Sequence, residues 1–199
     1  MREKRKPLFI GLSGGVAAGK STALAALAEA GVPTLSADQV VHEIYADQEV
    51  AKLVAERLGA DVIVDGAVDR DAVARAVFNE PEARVWLEQL IWPRVGQRII
   101  DFRREWEAVD DPPEAIVVEV PLLFEAGMDQ AFDHTIVIVA DKALRLSRAA
   151  ERGDEEIEAR EERQLPQEIK ADRASAVIEN HGSREDLKDE ILSTIKNLA

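Results

Sequence analysis

The chain has 199 residues, with 39 Asp and Glu against 25 Lys and Arg, a formal net charge of −14 and a sequence pI near 4.7. That balance argues against nucleic acid as a partner, because such a surface needs clustered cations to displace phosphate counterions. There is no cysteine, so disulfide frameworks, thiolate zinc sites and cysteine nucleophiles are excluded, and a reducing, cytoplasmic setting is expected. A hydrophobic fraction of 46% at this length suits one domain, or one domain with an embedded subdomain.

The basic start Met1 to Lys6, followed by Pro7 to Leu12, mimics a signal peptide. Its apolar piece is too short, lacks a small-residue cleavage pattern and runs directly into a glycine-rich segment, so that reading is rejected. No apolar run approaches the ~18–20 residues of a membrane span, so no membrane partner is expected.

Leu8-Phe9-Ile10-Gly11-Leu12 is a short apolar run bounded by Pro7 and by glycines, the pattern of a buried parallel strand. Residues 20–30, rich in Ala and Leu, predict a helix stopped at Gly31, and Val32-Pro33-Thr34-Leu35 predicts a second strand. Strand, helix and strand in that order make a βαβ unit and hence a parallel sheet. The long stretch that follows, 39–110, reads as a mostly helical insertion. Within it Trp86, Leu87, Leu90, Ile91, Val95, Ile99, Phe102 and Trp106 recur at threes and fours, predicting a long amphipathic helix perturbed at Pro93. Residues 115–120 and 135–140 are β-branched runs suited to central strands, and Ala176-Val177-Ile178 is a shorter candidate. Residues 151–163 are mostly charged, and either a solvated helix face or a lid over the site accounts for them. Ser183-Arg184-Glu185-Asp186 resembles a capping box and opens a last helix whose stripe of Leu187, Ile191, Leu192, Ile195 and Leu198 predicts core packing.

Gly14-Gly15-Val16-Ala17-Ala18-Gly19-Lys20-Ser21 fits G-x-x-x-x-G-K-[ST], between a predicted strand and a predicted helix. Glycines let successive N–H groups turn toward phosphate oxygens, and the helix N-terminus adds its positive dipole end. Lys20 supplies a cation to the β- and γ-phosphates, the Ser21 hydroxyl is suited to ligate Mg²⁺, and Thr22 can reach the α-phosphate. Binding of a nucleoside triphosphate follows.

Phosphoryl transfer also needs an in-line acceptor, charge neutralisation and often a carboxylate to orient or deprotonate the acceptor hydroxyl. Asp38, just past the second strand, is the best candidate, and compensation of a helix dipole is the competing reading. Glu119, near the end of the third strand, is a candidate to hold a metal-bound water, with an ordinary polar turn residue as the equal alternative. Glu125 could do the same, but an ordinary polar turn residue is the preferred reading there. Arg148 and Arg152 lie four apart on a predicted helix, hence on one face, suited either to close over phosphates or to pair with Glu151, Glu155 and Glu156. His42, His134 and His181 have no metal spacing and no nucleophile partner.

Across nearly its whole length the chain resembles dephospho-coenzyme A kinases. The resemblance rests on Ile10-Gly11-Leu12-Ser13-Gly14-Gly15, Ala37-Asp38, Val68-Asp69-Arg70, Val77-Phe78, Trp86-Leu87-Glu88, Pro121-Leu122-Leu123-Phe124-Glu125 and Arg148-x-x-x-Arg152-Gly153. Gln164-Leu165-Pro166, Lys170, Arg173-Ala174 and Val177-Ile178-Glu179-Asn180 extend it. It implies ATP-dependent phosphorylation of the ribose 3′-hydroxyl of dephospho-coenzyme A, with ATP as cosubstrate and Mg²⁺ as metal. It implies an α/β, three-layer P-loop kinase fold: one domain with a central five-stranded parallel sheet, a helical acceptor-side insertion at 39–110 and a helical lid at 151–170. Asp38 is then the residue that acts on the 3′-hydroxyl, Lys20 and Arg148 are catalytic cations, Arg152 lies on the ATP side and Asn180 near the adenine. Arg70, Trp92 and Leu122 fall on the substrate side. The family pattern has Asp-Ala-Asp where this chain has Ser36-Ala37-Asp38, His-Pro where it has Trp92-Pro93, and Ala-Asp where it has Ala174-Ser175. The alternatives are a diverged kinase for another small hydroxyl acceptor, or a nucleotide-binding regulatory module.

Overall fold

The structure is a computed structural model, and the residues it describes are 5–78, 80–153 and 157–199. Glu155 and Glu156, candidate partners of the two arginines, lie outside them. In chain order the elements are β1 (Leu8–Gly14), α1 (Lys20–Glu29), β2 (Thr34–Ser36), α2 (Ala37–Ala46), α3 (Gln48–Leu58), β3 (Ile63–Val64), β4 (Ala67–Val68), α4 (Arg70–Phe78) and α5 (Pro81–Ala108). There follow β5 (Ala115–Glu119), β6 (His134–Val139), α6 (Lys142–Glu151), α7 (Ile157–Glu161), α8 (Gln167–Arg173), β7 (Ala176–Glu179) and α9 (Arg184–Leu198).

Two compact units emerge, one formed by Met1–Ser36 with Arg103–Ala199 and the other by Ala37–Phe102. The first holds a five-stranded sheet in the order β2-β5-β1-β6-β7, every neighbouring pair parallel. The predicted α/β class and five-stranded parallel sheet are therefore what the chain adopts. β1 lies in the middle, with Leu12 opposite Glu119 of β5 and Gly14 opposite Ile138 of β6. The carboxyl ends of the strands thus collect Gly14, Ser36, Glu119 and Glu179 along one edge, where open α/β sheets bind ligands. Ile10, Leu12, Ile136, Ile138 and Ile178 on the strands pack with Ala23 and Leu27 of α1 and with Leu187, Ile191 and Ile195 of α9. Each fully buried Leu or Ile here contributes roughly 1.5–3 kcal/mol. The predicted capping box opens α9, with Ser183 and Asp186 bonded reciprocally. β2 starts later than predicted, at Thr34, after Pro33, which has no N–H to donate but accepts from Val117 through its carbonyl.

The second unit is mostly helical, as its sequence suggests, but it also contains the β3–β4 hairpin, which was not anticipated. Its turn is Asp65-Gly66, both at positive φ (52° and 81°), and Asp-Gly is the dipeptide that such a two-residue turn favours. Asp47 caps α3 by accepting from the Glu49 and Val50 N–H groups. α5 runs through Pro93 as one helix. Ile91, Val95, Ile99 and Phe102 form its buried stripe, while Trp86, Leu87 and Leu90 are half-buried.

Candidate active site

β1 delivers the chain to a glycine-rich loop, and α1 starts at its far end. Gly14 has φ +151°, and a Cβ there would lie 2.2 Å from the Ile138 carbonyl oxygen, a backbone atom that cannot yield. Gly19 has φ +110°, and its Cβ would lie 2.3 Å from Asn180 Nδ2. Between them Ala17 sits in the left-handed region at φ 57°, and the Ala18 N–H donates to the Gly15 carbonyl at 3.2 Å. These are the backbone conformations that make a phosphate cradle, closed by the positive end of α1. Lys20 folds back onto the loop, its Nζ donating to the Gly14 and Gly15 carbonyls at 3.1 and 2.8 Å. Ser21 is exposed and Thr22 half-buried in the first turn of α1.

A cavity of about 170 Å³ opens beside the loop, lined by Gly19, Thr22, Arg148, Arg152 and Asn180. The two arginines singled out by spacing thus share one cavity, although α6 ends at Glu151 and Arg152 is its C-cap. Asn180 is buried and bonded at both ends of its side-chain amide. Its Nδ2 donates to the Ala18 carbonyl at 2.8 Å, and its Oδ1 and backbone oxygen accept from Arg148 Nη2 at 3.4 Å. Arg148 Nη1 is buried without a hydrogen-bond partner among the described residues. Arg148 and Arg152 thus bring two guanidinium groups to a cavity beside the phosphate loop, which suits a bound anion.

At the carboxyl edge Glu119 is buried, and its Oε2 accepts from Ser36 Oγ at 2.9 Å. A hydroxyl at position 36 therefore gives Glu119 a donor rather than a second carboxylate. Glu125 is not the ordinary polar turn residue that was expected. Its Oε1 accepts from the Leu165 N–H at 2.7 Å and from Lys170 Nζ at 2.9 Å, and Lys170 is wholly buried. Lys170 also donates to the Pro121 carbonyl at 3.0 Å and Gln164 Oε1 at 3.1 Å, and Ser13 Oγ donates to that same Pro121 oxygen at 3.3 Å. Burial pushes the Lys170 ammonium below the usual lysine range, partly opposed by its bond to Glu125. Leu122 is half-buried in this same turn.

Arg145 was missed by sequence reading. Its guanidinium is buried at the back of the loop, bonded to the Val16 and Ala140 carbonyls and to Glu161. Neither Arg145 nor the Lys170 network carries a spacing signal, since their partners come from distant segments. His181 contacts Asp141 and Glu179 at the surface.

In the second unit Asp38 is exposed in the first turn of α2. Arg70 opens α4, and its charge partly opposes the burial that pushes the Tyr45 hydroxyl above the usual tyrosine range. Trp92 on α5 is 39% exposed.

Among the described residues no three His, Asp or Glu side chains gather into a metal cage. Mg²⁺ does not require one, since it takes one or two protein oxygens beside substrate phosphates and water. The donors here, the exposed Ser21 hydroxyl and the Glu119 carboxylate, are hard oxygens of the right kind. No helix among the described residues is long and apolar enough to cross a membrane.

Comparison with known proteins agrees with this geometry. A family model described as dephospho-CoA kinase matches residues 8–186. A dephospho-CoA kinase of Chlorobaculum tepidum is 36% identical over 98% of this chain and 96% of its own length. A Thermus thermophilus protein of solved structure superposes with a TM-score of 0.81, at 33% identity over 98% of this chain and 100% of that one. A dephospho-CoA kinase of Campylobacter jejuni superposes with a TM-score of 0.66, at 26% identity over 97% and 98% of the two chains.

Proposed function

The chain belongs to the dephospho-CoA kinase family, and from that premise we propose that it transfers the γ-phosphoryl group of ATP to the ribose 3′-hydroxyl of dephospho-coenzyme A, giving coenzyme A and ADP in the last step of coenzyme A synthesis. The observation that carries this reading is the phosphate cradle from Gly14 to Ser21, set at the carboxyl edge of a parallel sheet within a family match over residues 8–186. In the transfer the 3′-oxygen bonds to the γ-phosphorus, the bond from phosphorus to the bridging oxygen of ADP breaks, and the proton of the hydroxyl is lost.

We assign that proton to Asp38. Lys20 swings from the Gly14 and Gly15 carbonyls to the β- and γ-phosphates, a short move for a flexible four-carbon stem. The loop N–H groups from Gly14 to Gly19 hold the phosphates, with Thr22 at the α-phosphate. Arg148 and Arg152 bring positive charge to the ATP side, where a loose transition state spreads negative charge over equatorial oxygens. Asn180 lines the nucleotide cavity beside the adenine and acts chiefly by holding Ala18 and Arg148 in place. Mg²⁺, when bound, neutralises phosphate charge, held by Ser21 and, through water, by Glu119. Arg70, Trp92 and Leu122 belong to the acceptor side, residues 39–110 to the acceptor-side insertion and 151–170 to the lid. The lack of cysteine suits the cytoplasm.

The test is turnover with ATP, Mg²⁺ and dephospho-coenzyme A, followed as ADP and coenzyme A formed. Lys20→Ala should abolish most turnover. Asp38→Asn should leave ATP binding intact while slowing transfer by about 10²–10⁴-fold. A near-wild-type rate in Asp38→Asn removes its role as base, and no turnover by the folded wild type removes the assignment.

A further inference from the structure

We propose that Arg145 is a positioning residue for the triphosphate, holding the Val16–Ala17 peptide of the phosphate loop from behind and tying it to α7, so that nucleotide affinity and the order of α7 are linked. The inference rests on the kinase reading and deepens it.

Arg145 is a buried cation, 8% exposed, in a strongly acidic chain. Its Nε donates to the Ala140 carbonyl at the end of β6 at 3.2 Å. Nη1 donates to the Val16 carbonyl at 3.4 Å and also meets the Glu161 carboxylate of α7. In a phosphate cradle the N–H groups turn toward the ligand and the carbonyls away from it. A guanidinium on the Val16 carbonyl therefore sits outside the cradle, and it polarises the peptide so that the following N–H, that of Ala17, becomes a stronger donor. That residue is the one at φ 57°, a conformation costing of order 1 kcal/mol or more and in need of support from its surroundings.

A second contact acts through the same loop residue. The Val16 side chain is buried in a small cluster with Ala149 of α6 and Ile157 of α7. Val16 is thus joined to α7 twice, through its carbonyl by way of Arg145 and Glu161, and through its side chain by way of Ile157. Gln167 completes the support. Its amide both donates to and accepts from the Ala140 backbone, and its Oε1 lies 3.1 Å from where a Gly15 Cβ would be. Among the described residues, α7 is consequently tied to the loop through Ile157 and through the Arg145–Glu161 ion pair. Any ligand that sets the Val16–Ala17 peptide also sets α7.

The experiment uses the full chain with Arg145→Gln and, separately, Glu161→Gln. MgATP affinity is measured by calorimetry, KM for each substrate by turnover, and amide exchange over residues 157–161 with and without MgATP. Losing a charge-assisted hydrogen bond from the loop should raise the MgATP Kd of Arg145→Gln about tenfold or more. The KM for dephospho-coenzyme A should stay within about twofold, a split that general damage to the fold would not produce. MgATP should slow exchange over residues 157–161 in the wild type and do so far less in either variant. Glu161→Gln, which leaves Arg145 on Val16, should weaken MgATP less than Arg145→Gln does. An unchanged MgATP Kd in Arg145→Gln, a parallel rise in both KM values, or no response of α7 to MgATP in the wild type overturns the proposal. If Arg145→Gln does not fold, Glu161→Gln decides it, and full retention of α7 protection there is refutation. A wild type that binds no MgATP instead refutes the kinase reading itself.

Discussion

Replacing Lys170 by Met should be among the most damaging single changes in the chain, and the structure supplies the size of the effect. The Lys170 ammonium has zero exposure and donates to the Pro121 carbonyl, Gln164 Oε1 and Glu125 Oε1 at 3.0, 3.1 and 2.9 Å. Methionine fills a similar volume, so the loss is electrostatic rather than a cavity. What remains is the Glu125 carboxylate, its side chain 16% exposed, with the Leu165 N–H on one oxygen and, among the described residues, no partner on the other. Removing one member of a buried ion pair costs about 3–5 kcal/mol, a large part of a total stability of roughly 5–15 kcal/mol. For a chain of this size that lowers Tm by about 6–20 °C. Urea unfolding of Lys170→Met, Glu125→Gln and the double variant measures the effect. Because the pair's own desolvation is costly, the neutral double variant should recover to within about 1–2 kcal/mol of the wild type, so that the two single costs are strongly non-additive. A Lys170→Met cost below about 1 kcal/mol, or additive single costs, would show that the charge is not the source of the effect.

Gly14→Ala should unfold the loop end of β1 and lower stability by about 3 kcal/mol or more, through positive-φ strain and the clash with the Ile138 carbonyl. A melting temperature near that of the wild type refutes it. At the start of α9, the Ser183 hydroxyl and then its backbone N–H hold the Asp186 carboxyl below the usual carboxylate range. A depressed native pKa means that the unfolded chain binds the proton first as pH falls. The cap's stabilisation is therefore present above the ordinary Asp range and is lost as pH drops through the lowered native value. Ser183→Ala should lower stability near neutral pH, and the gap from the wild type should narrow in acid unfolding curves to the part owed to the Asp186 N–H on the Ser183 hydroxyl. A gap independent of pH refutes that origin.

Local chemistry determined much of this protein before any tertiary contact is considered. The apolar run at Leu8–Leu12, the glycines at 14 and 19, Lys20, and the Ser183–Asp186 cap are each specified by neighbours within a few residues, so strand, cradle and helix start are legible in order. The Asp65-Gly66 hairpin belongs to the same class, although helical periodicity on both sides obscures it. The environment of Glu125 and the whole role of Arg145 were not legible. Glu125 became half of a buried pair only because α8 brings Lys170 to it from 45 positions away. Arg145 is one more basic residue on a basic helix until the Val16 and Ala140 carbonyls and Glu161 converge on it. The 199-residue length and acidic charge bounded the class of partner, while the folded chain decided which few cations are withdrawn from water. A charge's surroundings, set by distant segments, determine whether it is a solvated surface group or a fixed part of the site.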